Sequence, residues 1–176
     1  MIDSYTQPLN GLVEFAKKEP DTVRSMFLDL LRTAAADVSV KQMAIQTFLD
    51  KSHQLRAKYF PDSYLYNDDL HSVTGYLFLY DSDHNYLYKA THCRSFADCM
   101  EFYDNWGSGE TTKLDVFFRM CDIIKRIEDA SYLAINGNGT TELNNLITAK
   151  IPGIPSSIAE FDFSSNYAHR NYTHRG

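Results

Sequence analysis

The residues best suited to chemistry lie near the C-terminus, where a pentapeptide pattern occurs twice. The segment reads Asn166-Tyr-Ala-His-Arg170 and then Asn171-Tyr-Thr-His-Arg175. Tyrosine and arginine are enriched at interface hot spots, and a planar guanidinium can bind two oxygens of a carboxylate or phosphate at once. The pattern therefore predicts a partner-binding segment. Its candidate contact residues are Tyr167, His169, Arg170, Tyr172, His174 and Arg175.

Other reactive side chains lack the spacing of a nucleophilic or structural metal site. Cys93, Cys99 and Cys121 include no Cys-x-x-Cys pair, so we expect free thiols in a reducing compartment rather than structural zinc. Asp68 and Asp69 are adjacent, and a metal there would need ligands from elsewhere in the chain. The sequence thus predicts no resident cofactor and favours a protein that is not an enzyme.

The elements that position these residues centre on an aromatic stretch in the middle of the chain. Thr74–Tyr80 and Tyr86–Ala90 are rich in residues that favour strands, and turn-forming residues separate them. This pattern predicts an antiparallel hairpin over residues 74–90, with Ser131–Ile135 as a further strand of the same sheet. The predicted fold class is α/β (α+β), a small antiparallel sheet covered by about six helices, with an extended C-terminal arm.

Apolar residues at spacings of three and four predict the helices that cover this sheet. Leu9–Lys18 forms the first, Pro20 opens the second, and the third runs from Ser39 to Tyr59 with Ser39 and Gln42 as a capping box. The later helices are predicted at residues 95–106, at residues 112–128, and after the turn Asn136-Gly-Asn-Gly139. In the helix at residues 112–128, Phe117, Cys121 and Ile124 should line the buried face.

A chain of this length is predicted to form one domain with an appended arm. Residues 1–60 would be an N-terminal helical layer, residues 61–155 the α/β core of the same domain, and residues 156–176 the arm. The arm has too few apolar residues to offset the roughly 1–2 kcal/mol of backbone entropy lost per ordered residue. We therefore expect it to become ordered chiefly against another chain.

The predicted order of hairpin, helix, helix, strand and helix resembles the GIY-YIG nuclease domain over about residues 73–155. The matching motifs are Gly75-Tyr76-Leu77 and Tyr88-Lys89-Ala90. In that family a tyrosine in each hairpin strand, an arginine on the next helix and a glutamate on the last helix cut phosphodiesters with a divalent metal.

The resemblance implies a metal-dependent endonuclease acting on DNA as an alternative function. Its catalytic residues would be Tyr76, Tyr88, Arg94 and Glu142, and Glu142 would hold Mg²⁺, which prefers oxygen ligands. Tyr76 and Glu142 each stand one residue early, and Ala90 replaces the glycine of the second motif. We therefore favour a non-enzymatic function over this alternative.

Charge and hydropathy limit the partners and the location. The chain has 17 basic and 23 acidic residues, a net charge of −6, which disfavours nucleic acid because phosphate binding depends on Lys and Arg. No apolar stretch approaches the about 20 residues that span a bilayer, and no signal peptide is expected. The leading hypothesis is a protein-binding or assembly component in the cytoplasm, or in a virus particle, with other protein chains as partners in a homo- or hetero-oligomer.

Overall fold

The computed structural model describes residues 5–99 and 101–135, and all regular structure in these ranges is helical. The α-helices are α1 (Pro8–Lys18), α2 (Pro20–Leu31), α3 (Val38–Tyr59), α4 (Leu70–Tyr80), α5 (Ala90–Cys99) and α6 (Leu114–Ile135). A short 3₁₀ helix, Gly109–Thr111, precedes α6. Because the described residues contain no β-strand, the α/β fold class expected from the sequence is wrong.

The described residues divide into two compact units. Of the described residues, 5–93 and Asn105–Phe118 form the first unit, whereas those within Arg94–Asp104 and at 119–135 belong to the second. All of α1 to α4 lies in the first unit, where α1 packs on α2 and α3, and α4 packs on α2 and α3. These four helices therefore pack against one another within this unit.

The three N-terminal helices are confirmed. Pro8 and Pro20 each stand in a first helical turn, where the missing N–H has no helical acceptor to lose. The buried face of α1 includes Leu12 and Phe15, as its apolar spacing requires. The predicted capping box at Ser39 is wrong, since α3 begins at Val38 and Ser39 already lies inside the helix.

The predicted hairpin over residues 74–90 is also wrong, because its first half is helix α4. Residues 72–77 of this helix are buried on every side, so they show neither the two-residue period of a half-buried strand nor the 3.6-residue period of a surface helix. Residues 86–89 form no regular structure, and Ala90 begins α5. The aromatic stretch does lie at the centre of the first unit, but as a helix.

A capping box explains why this stretch is helical. The carboxylate of Asp69 accepts a 2.9 Å hydrogen bond from the backbone N–H of Ser72, and the Ser72 hydroxyl lies 3.1 Å from the backbone nitrogen of Asp69, which donates to it. These two bonds satisfy backbone donors that a helix N-terminus otherwise leaves free. The ring of Tyr76 then packs between Phe27 of α2 and Phe48 of α3, at centroid distances of 5.4 and 5.9 Å.

The later helices partly follow the prediction. Helix α5 ends at Cys99, well before Trp106, and Ser95 lies inside it rather than at its start. Helix α6 is confirmed, but it continues through Ser131–Ile135, so the predicted strand there is wrong. Phe117 is buried as expected, whereas Cys121 and Ile124 are only half-buried.

Several predicted features lie outside the described residues. They are the turn at residues 136–139, the helix predicted after it, Glu142, and the arm at residues 156–176 with its two Tyr-x-His-Arg units. The predictions for these segments remain predictions.

Candidate functional site

Residues 60–69 form the connection after α3, between α3 and α4. The buried carboxyl group of Asp68 joins this connection to both helices. Ser52 of α3 donates a 2.5 Å hydrogen bond to Asp68 Oδ2, while Ser72 and Tyr76 of α4 donate bonds of 2.9 and 3.0 Å to Oδ1. His53 Nε2 lies 2.9 Å from the carbonyl oxygen of Asp68 and donates to it. Four side chains from two helices therefore hold this one residue.

Burial governs the electrostatics of this cluster. Loss of hydration raises the pKa of the Asp68 carboxyl, and the bonds from Ser52, Ser72 and Tyr76 act in the opposite direction. Burial also raises the pKa of the Tyr76 phenol, and the neighbouring Asp68 carboxylate adds to that rise. Because Asp68, Ser52 and Ser72 are all fully buried, the cluster can anchor the fold but cannot touch a substrate from solution.

Of the residues that the nuclease resemblance would make catalytic, Tyr76 and Tyr88 lie in the first unit. Tyr76 and Tyr88 are 7% and 3% exposed, and Thr112 donates a 3.2 Å hydrogen bond to the hydroxyl of Tyr88. Both tyrosines are thus enclosed in the first unit. Arg94 is exposed on α5 in the second unit, and Glu142 lies outside the described residues.

An exposed pair of aromatic rings marks a different kind of site. The rings of Tyr5 and Tyr64 stack with centroids 5.6 Å apart and an interplanar angle of 18°, yet the two residues are 81% and 61% exposed. We call this pair the tyrosine platform. Most large aromatic surface in a folded protein is buried, so a stacked pair that faces water is an unusual feature.

The backbone beneath the platform is fixed by several contacts. The carbonyl oxygen of Thr6 accepts hydrogen bonds from the backbone N–H groups of Tyr66 and Asn67, and the Thr6 hydroxyl donates to the carbonyl oxygen of Asn67. On the other side, Arg56 donates to the carbonyl oxygens of Ser63 and Leu65, which flank Tyr64. The segment that carries Tyr5 is therefore bonded to the connection that carries Tyr64, and Arg56 bonds that connection to α3.

Helix α1 packs tightly on the same connection. A Cβ atom at Gly11 would lie 2.6 Å from Tyr66 Cβ and 2.8 Å from Tyr66 Cα, so only glycine allows this approach. On the face turned away from the core, Leu9 and Val13 are about half exposed and stand four residues apart, which places them on one side of the helix.

A second exposed apolar surface lies at the C-terminal end of α4. Leu79 and Tyr80 are 70% and 63% exposed, and an acidic turn, Asp81–Asn85, follows them. Asn85 is buried and its amide nitrogen donates to the carbonyl oxygens of Ala34 and Asp81, at 3.0 and 2.8 Å. The turn is thereby fixed against the helical core.

Sequence reasoning missed the tyrosine platform and the α4 end. Tyr5 and Tyr64 lie 59 positions apart, so no local pattern relates them. For α4, a signal was present in Asp69-x-x-Ser72 immediately before an apolar run, which is the spacing of a capping box. That signal marks the start of a helix at Leu70.

The described residues contain no group of three or more His, Cys, Asp or Glu side chains arranged to hold a metal ion. Among them, no helix is long and apolar enough to cross a membrane. Comparison with protein-family models, with curated proteins and with solved structures gave no match for this chain.

Proposed function

We propose that this protein functions without catalysis, as a binding component that engages another protein in a larger assembly. The observation that carries the proposal is the tyrosine platform, two stacked rings that remain open to solvent on a fixed backbone. Tyrosine supplies a large amphipathic contact area at low cost in side-chain entropy, because it has only two side-chain torsions. Such residues dominate the energy of many interfaces.

Pre-organisation strengthens this proposal. Binding normally costs about 0.5–1.5 kcal/mol for each mobile side chain that becomes fixed. Tyr5 and Tyr64 already stack on each other, and the Thr6 and Arg56 contacts hold the segments that carry them. Folding has therefore already fixed most of this surface, so little further conformational entropy would be lost when a partner binds.

The C-terminal arm, residues 156–176, is proposed as a second contact with the same partner. Tyr167 and Tyr172 would enter pockets of the partner, and Arg170 and Arg175 would meet carboxylates or phosphates there. All three cysteines are free thiols, which fits a reducing compartment such as the cytoplasm.

The test compares association by the full-length chain and by two matched variants. Each purified chain is analysed by sedimentation velocity, once alone and once after mixing with extract of the source cells, and its mass in solution is compared between the two samples. We expect the wild type to enter a larger species whose components mass spectrometry identifies. Tyr5→Ala combined with Tyr64→Ala should lose that species, because the variant removes both platform rings.

Tyr103→Ala is the control, since Tyr103 is equally exposed, at 77%, but lies in the second unit. It should leave the larger species intact. Retention of the species by the Tyr5–Tyr64 variant would remove the platform from the interface. Truncation after Pro155 tests the arm separately, and unchanged association there would show that the arm makes no contact.

A further inference from the structure

The exposed end of α4 combines an apolar pair with negative charge. Leu79 and Tyr80 face solvent, and Asp83 is exposed with no cation at ion-pair distance among the described residues. The nearby carboxylate of Asp81 pairs with His84 at 2.9 Å, and that contact lowers the pKa of Asp81, so it too is ionised at neutral pH. The carbonyl end of the α4 dipole adds further negative potential at this point. We call Leu79, Tyr80 and Asp83 the α4-end surface.

This surface is held rigidly from its inner side. Lys41 of α3 is 3% exposed and donates a hydrogen bond to the carbonyl oxygen of His84. The amide of Asn85 bonds two further carbonyl groups, those of Ala34 and Asp81. Since both ends of the turn are fixed, Asp83 keeps a defined position relative to Tyr80, and a ligand need not order the turn on binding.

The chain itself carries a segment with the complementary chemistry. The decapeptide Asn166–Arg175 holds two arginines and no acidic residue, whereas the rest of the chain holds the remaining 15 basic residues against all 23 acidic ones, a balance of −8. Each arginine of the decapeptide follows a tyrosine by three residues, Arg170 after Tyr167 and Arg175 after Tyr172, so each unit carries one aromatic ring and one cation.

We propose that the α4-end surface binds the decapeptide Asn166–Arg175 of a second copy of this chain. A tyrosine of the decapeptide packs on Leu79 and Tyr80, and the arginine three residues later pairs with Asp83. The pair is charge-assisted and geometrically specific because the guanidinium can bind both carboxylate oxygens. The inference shares with the proposed function only the use of the arm, and it concerns self-association rather than an unrelated partner.

The experiment measures self-association of the purified full-length chain alone, by sedimentation velocity at concentrations up to about 0.1 mM. We expect reversible dimers or larger species that weaken as salt rises, since exposed charges are screened. Asp83→Arg should weaken association at least about tenfold, because it places like charges together. Arg170→Asp combined with Arg175→Asp should have the same effect.

The triple variant combines Asp83→Arg with Arg170→Asp and Arg175→Asp. It again places opposite charges across the contact, so its association should lie within about threefold of the wild type. Asp21→Arg is the control, because Asp21 is an exposed acid elsewhere in the first unit, and it should not weaken association. A chain that stays monomeric at every concentration overturns the proposal, as does a triple variant that fails to recover. Since no cell extract is present and Tyr5 and Tyr64 are unchanged, these outcomes are independent of the Tyr5–Tyr64 test of the proposed function.

Discussion

Ser52 donates a 2.5 Å hydrogen bond to the carboxyl group of Asp68, and this bond connects α3 to the residue just before the N-cap of α4. Asp68 in turn accepts bonds from Ser72 and Tyr76 of α4. The carboxyl group therefore fixes where α4 begins relative to α3. Since the α4-end surface lies at the other end of the same helix, the Asp68 cluster also determines where that surface is presented.

Removing this carboxyl group should destabilise the protein. We expect Asp68→Ala to lower the free energy of unfolding by about 2–5 kcal/mol, because three buried hydroxyl groups lose their acceptor. Urea denaturation followed by circular dichroism measures the change. Asp62→Ala is the control, since Asp62 is an exposed carboxylate in the same connection, and it should change stability by less than about 0.5 kcal/mol. Equal midpoints for Asp68→Ala and the wild type would mean that the cluster does not anchor the fold.

The same group should make stability depend on pH in a defined direction. Burial raises the folded-state pKa of Asp68 above its ordinary value of 3.8. Between pH 3.8 and the folded-state pKa, the folded state therefore binds more protons than the unfolded state. The contribution of Asp68 to stability is then most favourable below pH 3.8 and declines as pH rises through the folded-state pKa. The stability of the wild type relative to Asp68→Asn should fall over this window. A difference that rises with pH would contradict the direction.

Phe117 should be the most costly aromatic residue to remove from the start of α6. It is 1% exposed, and its ring contacts those of Tyr86, Tyr88, Trp106 and Phe118. Phe117→Ala should cost about 3–5 kcal/mol, whereas Phe117→Leu leaves a smaller cavity and should cost less. Trp106 is the single tryptophan and lies beside Phe117, so its fluorescence reports unfolding. An unchanged midpoint for Phe117→Ala would place this ring outside the core.

The helices that could be predicted from sequence are those with one buried face. Helices α1 to α3 show apolar residues at spacings of three and four, and prolines mark the starts of α1 and α2. Helix α4 could not be identified in this way, because burial on all sides removes the polar positions that reveal a period. Its aromatic residues also favour strands by propensity, but packing against Phe27 and Phe48 overrides that preference.

The candidate surfaces were less predictable than the helices. Stacking of Tyr5 on Tyr64 depends on how the connection after α3 returns to the N-terminal segment, and the Thr6–Asn67 and Gly11–Tyr66 contacts that fix this path are all long-range. The composition of the arm could be read directly, but the exposed surface with opposite charge on α4 became visible only once α4 was known to be a helix.

Glu19 should stabilise the protein at neutral pH and lose this effect in acid. Its Oε1 atom accepts 2.6 Å bonds from Lys58 and Tyr59, which lower the pKa of Glu19 from 4.5 to about 2, with the Lys58 bond as the largest cause. The folded state thus binds fewer protons than the unfolded state between these values.

The stabilisation by Glu19 should accordingly be complete above pH 4.5 and disappear as pH falls towards 2. Thermal unfolding of Glu19→Gln and the wild type across this range measures it, with Asp21→Asn as the control, because Asp21 lies in the first turn of α2, which directly follows the N-cap Glu19. The difference should also shrink in high salt because the Lys58 pair is exposed. A Glu19→Gln deficit that stays constant down to pH 2 would exclude an ionised Glu19 as its source.

Gly11→Ala tests whether the close approach of α1 to Tyr66 matters more than helix propensity. Alanine is favoured over glycine inside a helix by about 1 kcal/mol, so an unconstrained site would gain stability. At Gly11 the new Cβ would meet backbone as well as side chain of Tyr66 at under 3 Å, and such overpacking costs about 1–3 kcal/mol.

We therefore expect Gly11→Ala to lower the free energy of unfolding, measured by urea denaturation. The shift of Tyr66 should also move the connection that carries Tyr64, so the stacked pair should separate and Tyr64 should become more mobile in NMR relaxation. Asn10→Ala is the control, because Asn10 is exposed in the same helical turn, and it should be neutral or slightly stabilising. A Gly11→Ala variant that is as stable as Asn10→Ala would show that α1 does not pack on Tyr66 this closely.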